Sequence, residues 1–118
     1  MNTEQKLEHL RDQLRLFAND RDWDQFHSPK NLAMALVVEA GELVEVFQWM
    51  TEEQSNSLTP AQRSQASEEI ADVLLYLIRI ADKLDVSLVD AAQKKIEKNA
   101  QKYPAQKVKG SSKKYNAY

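Results

Sequence analysis

The chain has 118 residues, 42% of them hydrophobic and 29% charged, with a formal net charge of -2 and no cysteine. That length fits one domain with a real core, and the composition and charge balance imply neither intrinsic disorder nor a dominant polyanion-binding surface. The missing thiols exclude disulfides, zinc ribbons and thiol catalysis, while the absence of a long apolar run or an apolar signal core in MNTEQKLEHLRDQ predicts a cytoplasmic protein with no membrane partner.

Thr3 is expected to cap a first helix in which Leu7, Leu10, Leu14 and Phe17 recur at helical spacing, ending near Asp20. The stretch RDWDQFHSPKN cannot continue it. Ser28 before Pro29 starts a second helix, because proline at the first helical position gives up no hydrogen bond and serine satisfies an orphan N–H. Trp23, Phe26 and His27 then fall on the connection, where aromatic rings more often plug the end of a bundle than stack on a ligand.

In the second helix, NLAMALVVEAGELVEVFQWM, a single side is formed by Leu32, Leu36, Glu39, Leu43, Val46 and Met50. Glu39 therefore occupies a core position, and Glu42 follows at i+3, so two carboxylates can aim at one point. An unpaired carboxylate is costly to bury, and this helix has no Lys or Arg after Lys30, so its neutralising charge must come from elsewhere.

The polar TEEQSNSLTPAQ reads as a loop, after which Thr59 and Pro60 start a third helix running to about Asp85. Its apolar surface is Ile70, Val73, Leu74, Leu77, Ile80, Ala81 and Leu84, and between Val73 and Ile80 it is apolar almost all round, which predicts the most enclosed helix of the chain. Glu69 and Asp72 repeat the i, i+3 pairing, with Glu69 in line with Val73, Tyr76 and Ile80. Ser87 caps a fourth helix with Leu88, Ala91, Ala92 and Ile96 inward and Lys94, Lys95, Lys98 and Lys102 outward, stopping at Tyr103-Pro104. The remaining AQKVKGSSKKYNAY lacks helical periodicity, so the organisation expected is a domain over residues 1–103 and a mobile basic tail over 104–118.

Antiparallel packing of the second and third helices can bring Glu39, Glu42, Glu69 and Asp72 to one level. Oxygen-only ligation suits Mg2+ or Mn2+. His9 and His27, the only histidines, are not placed as di-iron or zinc ligands. A second reading stays open on the residues alone: a non-catalytic helical interaction protein whose acidic seam pairs with lysines of the fourth helix.

EAGELVEVFQW followed by EEIADVLLYL resembles the E-x-x-E and E-x-x-D motif of the MazG-type all-α nucleotide pyrophosphohydrolases. RDWDQFHSPKNL, KKIEKNAQKYP and SSKKY extend the similarity over nearly the whole chain, toward the dCTP pyrophosphatase branch. The resemblance implies an all-α, four-helix bundle-like subunit assembled into a homo-oligomer, commonly a dimer of dimers. It implies a Mg2+-dependent enzyme that splits a nucleoside triphosphate between the α and β phosphates, acting on dCTP or modified dCTP in nucleotide-pool sanitation and not on a nucleic acid polymer. Glu39, Glu42, Glu69 and Asp72 match the metal ligands of that family. Trp23, His27 and Trp49 match its base pocket, Tyr76, Lys95 and Asn99 match positions near sugar and phosphates, and Lys102 and Tyr103 extend that set. Two departures stand out. Val38 precedes Glu39 where many motifs of this type have a second glutamate, and Leu14 stands where close dCTP-specific relatives offer a histidine. A leucine packs against any base without hydrogen bonding, which implies looser discrimination between bases.

Overall fold

Side-chain caps set most of the helix boundaries. The computed structural model describes residues 1–111, and all regular elements among them are helical: α1 (Thr3–Asp20), a 3-10 turn (Asp24–Phe26), α2 (Pro29–Phe47), α3 (Glu52–Ser55), α4 (Pro60–Lys83), α5 (Leu88–Lys102) and α6 (Ala105–Val108). Asn2, not Thr3, caps α1: its side-chain oxygen accepts from the Gln5 backbone N–H at 2.8 Å while Gln5 accepts from the Asn2 N–H at 2.9 Å. This reciprocal box satisfies two orphan donors where a threonine one residue later would satisfy one. Ser28 and Thr59 cap α2 and α4, each followed by proline at the first helical position. The segment read as a plain loop contains α3, because Thr51 and Gln54 close a further capping box.

The chain divides into two compact units, Met1–Asp85 and the part from Val86 onward. Within the first, α4 packs against α2 and against α1. Leu32 and Val46 are buried along α2, with Leu36, Glu39, Leu43 and Met50 half-buried between and beyond them. On α1 the inward stripe is Leu7, Leu10, Leu14 and Ala18, of which Ala18 is 2% exposed, whereas Phe17 is 46% exposed. Phe17 turns away from the stripe to meet Trp23 edge-on, at 5.7 Å between ring centroids, and to sit under the Arg21 guanidinium.

α4 is less enclosed than its composition suggested. Ile78 and Ala81 are buried, but Ile70, Leu74, Leu77 and Leu84 are exposed, since two helical neighbours cover only part of its circumference. Arg79, in the middle of the apolar run, is buried.

In the second unit Ser87 caps α5, whose Ala91, Ala92 and Ile96, expected to face inward, are exposed. Part of the stretch read as an irregular tail closes one helical turn, α6, and residues 112–118 of that expected tail lie outside the described residues.

Candidate active site

α2 and α4 carry the two acidic pairs to a common point. One oxygen from each of Glu39, Glu42, Glu69 and Asp72 lies within 4.8 Å of the others. Glu39, Glu69 and Asp72 are half-buried, Glu42 is exposed, and Oε2 of Glu39 and Oε2 of Glu69 are buried without a hydrogen-bond partner among the described residues. Desolvation, then the hydrogen bond and charge of Glu42, push the Glu39 carboxyl above the usual range. Desolvation and the Glu42 charge raise Glu69 likewise. Four acidic groups that repel one another, two of them with an unsatisfied buried oxygen, form a donor set suited to a hard divalent cation. No acidic seam satisfied by local ammonium groups leaves such orphaned oxygens.

Beside the cluster opens a cavity of about 450 Å³, lined by Leu10, Gln13, Leu14, Phe17 and Ala18 of α1, Trp23 and His27 of the connection, and Asp72, Leu75, Tyr76 and Arg79 of α4. Asp72 belongs to both the cluster and the cavity wall, which joins the two into one site. Burial, reinforced by the charge of Glu39, raises the Tyr76 phenol, so this hydroxyl keeps its proton as a donor. Trp49 is 88% exposed and does not line the cavity. Lys95 and Asn99 lie one turn apart on α5, Lys102 is its last residue and Tyr103 its C-cap, all in the second unit.

Sequence reasoning passed over Arg79. Its side chain is 5% exposed, and Nη2 donates to Asp24 Oδ1 at 3.0 Å and lies 3.0 Å from His27 Nδ1. Nη1 faces Asp82 Oδ2 at 3.7 Å. Lys83 Nζ also donates to Asp24 Oδ1, at 2.6 Å, and the Lys83 and Arg79 bonds hold the Asp24 carboxyl below its ordinary range. Burial, with the Arg79 charge beside it, pushes His27 down toward the neutral imidazole. A single cation inside an apolar run was the available signal, but its partners lie in a connection far upstream.

A family model described as MazG-like matches residues 34–117. The dCTP pyrophosphatase 1 of Mus musculus is 44% identical over 114 residues, which make up 95% of this chain and 67% of that protein. The dCTP pyrophosphatase 1 of Homo sapiens is 43% identical over the same shares. Among solved structures, a pyrophosphatase from Archaeoglobus fulgidus DSM 4304 matches with a TM-score of 0.79 at 39% identity, covering 84% of this chain and 93% of that one.

Proposed function

The chain belongs to the MazG-like family, and from that membership we infer that it is a nucleoside triphosphate pyrophosphohydrolase, hydrolysing dCTP to dCMP and pyrophosphate. The observation that carries this reading is the acidic cluster with two orphaned oxygens opening directly onto a base-sized cavity through Asp72. Release of pyrophosphate from a panel of dNTPs and NTPs, methylated cytosines included, with and without Mg2+, tests it. dCTP and its modified forms should turn over fastest and only with Mg2+; absence of pyrophosphate from every member would overturn it.

Glu39, Glu42, Glu69 and Asp72 are assigned as ligands of Mg2+, with Mn2+ a workable substitute. When bound, the cation would neutralise the triphosphate and polarise the α-phosphorus toward water. The chain's own groups do the rest. The carboxylate oxygens of the cluster orient the attacking water, and one of the glutamates receives its proton. Trp23 and His27 are assigned to the base and Tyr76 to the sugar, supported by their lining one cavity with Asp72, one turn before Tyr76 on α4. Trp49 is assigned to the base as well. Lys95, as a point charge, and Asn99, at i+4 on the same face of α5, are assigned to phosphates and sugar, with Lys102 and Tyr103 extending that face.

The same reading includes a homo-oligomer, a dimer of dimers, in the cytoplasm where nucleotide pools are cleansed. Support for assembly comes from apolar side chains left open on α2 and α4, among them Val37 at 70% exposure and Ile70 at 56%. No helix among the described residues is long and apolar enough to cross a membrane.

A further inference from the structure

Resting on the reading of the cavity as a nucleotide site, we propose that Arg79 reads the base: its unpartnered Nε–H is the donor for the acceptor edge, N3 and O2, of a cytosine ring. Asp72, Tyr76 and Arg79 all line the cavity and follow one another along one face of α4 at i, i+4 and i+7. Seven residues of helix rise about 10 Å, comparable to the reach from the 5′-phosphate of a nucleotide to the far edge of its base. With the phosphates at Asp72 and the cluster, the base edge arrives at Arg79.

One N–H of the guanidinium has no partner among the described residues. Both hydrogens of Nη2 are committed, one to Asp24 and one to His27, and Nη1 faces Asp82. Nε is buried with no partner, and the other such side-chain atoms among the described residues are the two cluster oxygens, Glu39 Oε2 and Glu69 Oε2. A buried donor left unmade costs more than a made bond gains, so a ligand that supplies an acceptor is favoured there. Asp24 and Asp82 flank the guanidinium, and each is shared with a second cation, Lys83 and Arg15 respectively.

His27 adds a second donor. A guanidinium can only donate, so His27 Nδ1 must accept, and the neutral ring then carries its proton on Nε2. Two donors on one wall suit a ring edge with two adjacent acceptors. Cytosine offers them; thymine and uracil carry an N–H at position 3 and set donor against donor. Across the cavity Leu14 supplies no polar contact, and Gln13 is the polar side chain of the α1 wall.

The test is calorimetric titration of the full chain with dCMP, dTMP and the 3-deaza analogue of dCMP, which lacks the N3 acceptor, alongside pyrophosphate release from the matching triphosphates. The wild-type chain should bind dCMP over the 3-deaza analogue by on the order of 10- to 100-fold, and Arg79→Met should collapse that ratio while changing affinity for the analogue little. Equal loss for both ligands would make Arg79 a pin for the connection and overturn the proposal. Should Arg79→Met fail to fold, the wild-type ratio still decides, and a ratio near one, or no binding of either monophosphate, overturns it. A preserved ratio without dCTP hydrolysis would sink the catalytic reading alone; hydrolysis without the ratio would sink this one alone.

Discussion

Arg15 on α1 grips Asp82 on α4 with two parallel N–H···O bonds, Nε to Oδ2 at 2.7 Å and Nη2 to Oδ1. The forked geometry matches guanidinium to carboxylate, and the Asp82 side chain is 11% exposed, so the pair is far from a loose surface contact. It ties together the two helices whose side chains form opposite walls of the cavity. Asp82→Asn should lower Tm by a few degrees and raise KM for dCTP more than it lowers kcat. An unchanged KM would show that the clamp has no hold on the cavity.

The metal-free chain should lose stability on both sides of a mildly acidic optimum. Glu39 and Glu69 have raised folded pKa values, so the fold binds more protons than the unfolded chain between the unfolded glutamate value of about 4.3 and their higher folded values; stability falls as pH rises through that window. Asp82 and Asp24 are depressed, Asp82 by the Arg15 hydrogen bond first, so their contribution is present above about pH 4 and lost as pH falls through their lower folded values. Thermal melts in a chelator should therefore peak in mild acid, and Mg2+ should flatten the neutral side of that peak. A melt curve that rises steadily to pH 8 without metal would contradict the crowding of the carboxylates.

Glu39→Gln and Asp72→Asn should each reduce turnover by at least about 100-fold while leaving helical content unchanged. Removing one negative charge from the cluster should also raise the metal-free Tm and weaken the further rise that Mg2+ produces by binding the native state. Near-normal rates in both variants would mean the chemistry occurs elsewhere.

Trp49→Ala should leave Tm almost unchanged, because the ring is already 88% exposed and its loss opens no cavity. Nucleotide affinity should fall more than Mg2+ affinity, read by titrating each separately. Equal losses would remove Trp49 from the base.

Val37→Glu should shift the assembly toward smaller species in light scattering at unchanged helical content, since it places a charge on an apolar surface that is 70% exposed in the single chain. The same mass as wild type would exclude this face of α2 from the contacts between copies.

Periodicity located the long helices because each carries its own apolar stripe, and Leu32, Leu36, Glu39, Leu43 and Val46 are buried or half-buried along α2, with Met50 half-buried just beyond its end. The meeting of Glu39, Glu42, Glu69 and Asp72 could be foreseen for the same reason: two i, i+3 pairs set into the apolar stripes of two long helices that pack together need only the segment between them to align their levels. Local spacing was a poorer guide where a choice depended on distant groups. Phe17 and Ala18 compete for the inward position on α1, and the contact of Phe17 with Trp23 and Arg21 decides it. Periodicity gives no account of Arg79, because Asp24 and His27, which make its burial tolerable, lie 55 and 52 residues earlier in the chain. Exposure of Ile70, Leu74 and Leu77 was also beyond periodicity, which reports that a helix wants covering and not how many neighbours are present.

A rigid helix behaves as a ruler. α4 carries Asp72, Tyr76 and Arg79 on a continuous hydrogen-bonded rod, so inserting or deleting one residue between Asp72 and Arg79 would swing the guanidinium about 100° around the axis and out of the cavity. A one-residue change of length between those marks would break the alignment of this wall, whereas exchanges of side chain leave its spacing intact.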